Sequence, residues 1–237
     1  MLKDNRMKEI YALVREMTDR GACDVGTDHA HIPIELVSTG KLPFAIATDI
    51  SLPSAKKGEK NVAENGLSDK IKTYCANGTL GVPLDGIGDI IIAGMGGELI
   101  AEIIFADERL KSPDLHFVLQ PMTKQEELRV LLSENGYEIE KESCVSDGER
   151  IYFIMSVYYT GVPKTLSVRE RLLGVNTVAS PTLLKYTNEL KGRLSVRLRG
   201  IRSATVPDAE EEKRLTEELS VLDAFTKAAK NEIFATE

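Results

Sequence analysis

The chain has 237 residues, 42% hydrophobic and 28% charged, with a formal net charge of −7. That balance argues against wholesale disorder, and apolar runs as short as Ile90-Ile91-Ile92-Ala93 fall far below the ~20 residues a membrane span needs. Three widely spaced cysteines, Cys23, Cys75 and Cys144, lack any Cys-x-x-Cys spacing, which argues against a disulfide framework or a zinc site and predicts buried, reduced thiols.

Met1 to Arg6 has no apolar stretch behind it of the kind a signal peptide carries, so the expectation is a cytoplasmic globular protein without membrane partners. Met7 to Met17 then predicts an amphipathic helix, with Ile10, Leu13, Val14 and Met17 at helical spacing. Gly21 to Gly26 reads as a short buried strand running into a glycine turn, and a helix over 31–39 follows with Pro33 in its first turn. Phe44–Asp49 is a second strand, and the polar helix after it stops at the C-cap signal Asn65-Gly66. Ile71–Cys75, Asp89–Ala93 and His116–Leu119 are three further strands. Tyr137–Ser143 and Ile151–Tyr159 flank the polar Asp147-Gly148 turn as an antiparallel hairpin. This alternation predicts an α/β fold, a parallel, doubly wound sheet covered by helices.

Composition changes after Val162-Pro163, so the expected division is residues 1–162 and 163–237. Ser180-Pro181 opens a helix with an N-cap and a first-turn proline, and Leu190, Leu194, Leu198 and Ile201 form one stripe along it. Pro207-Asp208 opens another, with Leu215, Leu219, Leu222, Phe225, Ala229 and Ile233 as its stripe. Two such helices joined by a short turn should pack as an antiparallel hairpin. Charge is uneven: residues 1–163 hold 17 basic and 26 acidic side chains, whereas residues 164–237 hold 13 and 11. The global acidity therefore does not exclude a nucleic-acid partner.

In an open parallel sheet, ligands bind beyond the carboxyl ends of the strands, at the switch in strand order. Those ends read Asp24-Val25-Gly26-Thr27-Asp28-His29, then Thr48-Asp49-Ile50, Ala76-Asn77-Gly78, Ala93-Gly94-Met95-Gly96-Gly97 and Gln120-Pro121-Met122. Asp49 closes the second strand 23 residues after Gly26, where an acid can accept hydrogen bonds from both hydroxyls of a ribose. Asp28 and His31 occupy the places where a dinucleotide fingerprint has glycines. A carboxylate there would repel a pyrophosphate, and no Walker loop is present. A cationic sulfonium nucleoside suits the acidic turn better, which points to S-adenosylmethionine as cofactor. The candidate cofactor residues are accordingly Asp24, Gly26, Thr27, Asp49, Ile50, Asn77, Gly78, Ala93 and Gly94, with no metal required.

The Asp24–Pro33 run, the Ile92-Ala93-Gly94-Met95-Gly96-Gly97 segment and Leu119-Gln120-Pro121-Met122 together resemble the bacterial tRNA (adenine-N1)-methyltransferase family that acts on position 22. The likeness spans nearly the whole chain, including Arg129 and the closing hairpin. It implies a Rossmann-like class I methyltransferase domain followed by a coiled-coil helical pair, with tRNA as partner. Two departures stand out: His31 replaces the usual Tyr and Asn77 the usual Asp. Methylation at N1 needs no strong base, because that nitrogen already carries a lone pair, so catalysis should come from alignment and desolvation. Asp28, His29, Met95 and Gln120 are the candidate catalytic residues. Asp28 reads equally well as a helix cap, and Gln120 nearly as well as a strand-end amide satisfying loop backbone. His116, at a strand start, reads as structural. Lys191, Arg193, Arg197, Arg199 and Arg202 form the candidate RNA footprint, with a solvated helix face as the alternative. The rival functions are methylation of a small molecule or protein, and RNA binding without catalysis.

Overall fold

The computed structural model describes residues 4–206 and 208–234, and side chains as far as Lys230. The helix opening expected at Pro207 and the side chain of Ile233 lie outside the described residues. The chain divides into two compact units, Met1–Thr165 and Leu166–Glu237.

The first unit is built on seven strands: β1 (Gly21–Val25), β2 (Ala45–Asp49), β3 (Ile71–Cys75), β4 (Ile87–Gly96), β5 (His116–Thr123), β6 (Tyr137–Asp147) and β7 (Arg150–Tyr159). They form one sheet in the order β3-β2-β1-β4-β5-β7-β6. The first five are mutually parallel, and β7 runs antiparallel between β5 and β6. Ile90, Ile91, Ile92, Phe117, Val118 and Leu119 have no exposed surface, as continuous apolar strands covered on both faces require. Helices α1 (Asn5–Leu13), α2 (His31–Ser38) and α3 (Leu52–Glu64) precede the switch in strand order, and α4 (Gly97–Phe105) and α5 (Gln125–Glu134) follow it. Right-handed crossovers that reverse direction at β1/β4 place these two groups on opposite faces. Ile10, Val14, Leu36, Ile91, Val118 and Ile154 make one core cluster on the side of α1 and α2.

Three local expectations are corrected here. The first helix starts at Asn5 and ends at Leu13 rather than running from Met7 to Met17. Asp4 caps its start by accepting from the Met7 N–H at 2.6 Å. Beyond its end, the Asp89 carboxylate takes the Arg15 backbone N–H and Nε, each at 2.7 Å, so the chain turns extended at Val14. Asp28 does not cap α2: that position belongs to Ala30 in a left-handed conformation, and the Thr27 hydroxyl accepts the Ala30 N–H at 3.0 Å. Cys23 is buried as expected, whereas Cys144 is half-buried and Cys75, at the end of edge strand β3, is exposed.

His116 is structural, as its position suggested: it is buried, with Nε2 2.9 Å from the Ser156 hydroxyl and Nδ1 3.3 Å from Asp89. Arg129 and Glu142 form a fully buried ion pair, Nε to Oε1 and Nη2 to Oε2 both at 2.9 Å, with the guanidinium 4.6 Å from the Phe153 ring centre.

The second unit contains α6 (Val168–Leu173), α7 (Pro181–Arg202) and α8 (Ala209–Phe234). Ser180 caps α7 as expected, and α7 packs against α8 as the hairpin. Leu190 and Leu198 are buried on one helix, and Leu215, Leu222 and Ala229 on the other. Helix α6 was not anticipated, although its capping box, Ser167 with Glu170 three residues on, is a sequence signal. Among the described residues no helix is long and apolar enough to cross a membrane, and no group of three His, Cys, Asp or Glu side chains could hold a metal ion.

Candidate active site

Strand register brings the predicted residues to one edge. Val25 lies beside both Thr48 and Ile92, Ile92 beside Leu119, and Ala93 beside Gln120, so β1, β2, β4 and β5 finish together at the switch point. The β1 turn is tied to β2 by the N–H groups of Gly26 and Thr27, both donating to the Thr48 carbonyl at 2.7 and 3.0 Å. Gly26 has φ +77°, and a side chain there would also drive into the Met95 methyl, 1.9 Å from an ideal Cβ. Met95 therefore lies across the first turn and joins the β1 and β4 segments into one site. Thr48 Oγ1 donates to the Gly78 carbonyl at 2.9 Å, which fixes the β3 turn to the same edge.

Asp49 closes β2, where one carboxylate oxygen accepts the Ser51 N–H at 2.8 Å and the other has no described partner. Ile50 follows it with 71% of its surface exposed, setting a free carboxylate oxygen beside an apolar side chain. Asn77 is exposed in the next turn. Asp24 is buried in β1, and desolvation pushes its carboxyl up to about 7 against a hydrogen bond from Thr27. Asp28 behaves in the opposite way. Hydrogen bonds from Ser54 and then Lys57 hold its carboxyl below the usual range, and its Oδ2 lies 3.1 Å from His29 Nε2. The Lys57 amine is 3.2 Å from the other oxygen. His29 stacks on His31 with ring centres 5.4 Å apart, and Asn61 of α3 holds the His29 carbonyl at 2.7 Å. The rim of the β1 turn is thus pinned to α3.

On the other side of the switch, Gly94 is exposed with φ +82°, and an ideal Cβ there would meet Arg6 Nη1 at ordinary contact distance, 3.8 Å. Gln120 is fully buried. Its Oε1 accepts from the Gly94 N–H at 3.2 Å and from Arg6 Nη1 at 3.1 Å, while Nε2 donates to the Pro121 carbonyl at 2.8 Å. Of the two readings open for Gln120, a contact to the target base or an amide satisfying loop backbone, these bonds match the second. Gly97 packs where an ideal Cβ would lie 2.3 Å from the Lys124 carbonyl oxygen, the close helix approach that glycine permits. Sequence reasoning missed Arg6 and Lys57, since no spacing pattern links either to its partner.

The edge fits a cationic nucleoside: a free carboxylate oxygen next to an apolar side chain, a glycine turn open to close approach, and a buried acid that can counter positive charge. The five basic candidates lie in the second unit, on α7. Lys191 pairs with Asp223, Arg197 with Glu211 at 2.5 Å and Arg202 with Glu212 at 2.7 Å. Arg193 and Arg199 are exposed and make no ion pair among the described residues.

The profile of the family described as a methyltransferase domain matches residues 3–155. A candidate tRNA methyltransferase of Mycoplasma pneumoniae is 30% identical over 206 residues, 81% of this chain and 91% of its own. The tRNA (adenine(22)-N(1))-methyltransferase of Bacillus subtilis is 28% identical over 60% of each chain. A candidate tRNA (m1A22) methyltransferase of Streptococcus pneumoniae, solved with S-adenosyl-L-methionine, superposes with a TM-score of 0.80 at 27% identity, covering 95% of this chain and 100% of that one.

Proposed function

The chain belongs to the methyltransferase-domain family, and on that premise we propose that it transfers a methyl group from S-adenosylmethionine to N1 of an adenine in tRNA, adenine 22 as in its relatives. The observation that carries this reading is the single edge on which Asp49, the Gly26 turn and the open Gly94-Met95 turn meet. When bound, S-adenosylmethionine supplies an electrophilic methyl on a sulfonium.

The chain does the rest by binding and placing. The free oxygen of Asp49 accepts from the ribose hydroxyls, Ile50 covers the cofactor's adenine, and Asn77 bonds that ring's edge. Gly26, Thr27, Gly78 and Ala93 offer backbone at close range, and Asp24 balances the positive methionine end. The target base enters over Gly94, whose carbonyl accepts from the adenine amino group while Met95 packs on the ring. N1 lies on the pairing edge, so the adenine has to leave any stack before it reacts. Methylation moves a positive charge from sulfur to the purine. Asp28, held as a carboxylate at the rim beside His29, favours that shift. Gln120 acts as a positioning residue, fixing the Gly94 turn. A tRNA substrate fits a cytoplasmic protein, and Arg193 and Arg199 of the helical unit supply phosphate contacts.

The test is incorporation of labelled methyl from S-adenosylmethionine, compared across unmodified tRNA, protein and small-metabolite fractions. Label in tRNA alone is expected. Label in protein or metabolites instead, or in nothing, would overturn the reading.

A further inference from the structure

We propose that Arg6 is a substrate-positioning residue, holding an RNA phosphate beside the nucleotide whose base enters over Gly94. The inference rests on the tRNA reading above. Helix α1 is set by its first residues: Asp4 caps it, and Asn5 Nδ2 donates to the Ser146 carbonyl on the β6–β7 hairpin at 3.0 Å. That anchorage sends the Arg6 side chain to the ends of β4 and β5. There Nη1 bonds Gln120 Oε1 at 3.1 Å and lies 3.9 Å from Met122 Sδ, and the guanidinium carbon is 5.7 Å from the Tyr152 ring centre. An ideal Cβ on Gly94 would sit 3.8 Å from the same nitrogen, with no other atom of the described residues within 4 Å.

A cation at that distance could play three roles, and the chemistry selects among them. It does not stabilise the purine, because methylation makes that ring positive. A purely structural role leaves half the fork unused: the nearby Asp4 carboxylate is 3.9 Å from Nε and already caps α1, and no described residue accepts from Nη2. A guanidinium fixed on one side by a buried amide, on a side chain still 25% exposed, is suited to an anion, and the anion that accompanies an extruded base is its own backbone phosphate. Gln120 then links the two tasks, since one oxygen orients both the phosphate-binding cation and the Gly94 turn that receives the base.

The experiment compares wild type with Arg6→Ala and Arg6→Lys. It reads the steady-state constants for tRNA, the salt dependence of tRNA binding, and S-adenosylmethionine affinity by calorimetry. Arg6→Ala is expected to raise KM for tRNA roughly tenfold or more with kcat within about twofold, as removal of one charged hydrogen bond implies. The salt slope should flatten by about 0.7–0.9, the share of a single neutralised phosphate, cofactor affinity should hold, and Arg6→Lys should restore most of KM and slope. An unchanged KM and slope would overturn the proposal while leaving the tRNA reading standing. So would a fall in kcat and cofactor affinity at unchanged slope, the signature of a merely structural arginine. A wild-type chain that neither binds nor methylates tRNA would overturn both.

Discussion

Burial pushes the Asp24 carboxyl up to about 7 from an ordinary 3.8. Between those values the folded chain keeps a proton that the unfolded chain has released, so this group lowers stability as pH rises toward 7 and adds no further change above it. A bound cation reverses the preference, because it favours the carboxylate. S-adenosylmethionine affinity is therefore expected to strengthen from about pH 6 to about pH 8 with release of a proton. Asp24→Asn should flatten that profile while raising the melting temperature at the alkaline end. Calorimetry in two buffers of different ionisation enthalpy checks the proton release, and thermal melts across the same pH range check the stability; a wild-type affinity profile as flat as the variant's would remove Asp24 from the cation's surroundings. Asp49 was legible in the sequence because its place depends only on a short strand and the residue that closes it. Asp28 was half legible. An Asp before a helix reads as a cap, but Ser54 and Lys57 of α3 draw its carboxylate outward, and the cap falls to Ala30 with Thr27 accepting. Arg6 was not legible at all, since its partner Gln120 is 114 residues away and no spacing encodes that meeting.

Elements follow the same rule of local against distant causes. Helix α3 ends at Asn65-Gly66 and α7 begins at Ser180-Pro181, because caps are written in adjacent residues. Helix α1 stops four residues before Met17, since the carboxylate that ends it, Asp89, belongs to a strand of the sheet. The parallel order itself came from alternation of strand and helix, whereas the antiparallel insertion of β7 between β5 and β6 is a tertiary choice. Helix α5 and strand β6 are joined by the Arg129–Glu142 pair, whose two side chains have no exposed surface. Breaking such a pair from one side leaves an uncompensated buried charge, whereas replacing both partners removes the need for desolvation. Glu142→Leu alone is expected to cost about 3–5 kcal/mol in chemical denaturation. Arg129→Met with Glu142→Leu should recover most of that loss. A double variant as unstable as the single one would mean that packing, not charge, dominates at this joint.

Across the whole molecule an acidic unit, which carries the match to the methyltransferase-domain family, is joined to a helical unit with a slight basic excess. Residues 1–163 carry nine more acidic than basic side chains, so attraction for RNA has to come from particular cations rather than from net charge. On α7, ion pairs with α8 engage Lys191, Arg197 and Arg202, which leaves Arg193 and Arg199, of the five candidate cations, exposed without a described partner. Replacing both with Ala is expected to weaken tRNA binding and flatten its salt slope by about 0.7–0.9 for each phosphate left unneutralised. Arg197→Ala should do less, and none of the three should change cofactor affinity; an unaltered slope in the double variant would make this basic run a solvated face. The central claim, N1 methylation at one adenine, is tested most directly by mapping the modified base. An unmodified tRNA transcript with adenine at position 22 is incubated with the protein and S-adenosylmethionine, then copied by reverse transcriptase, which a methyl on the pairing edge blocks. The account predicts one new stop, immediately 3′ of position 22 and absent from a transcript carrying guanine at 22. Methyl incorporation without that stop, or a stop at another position that survives the substitution, would contradict it.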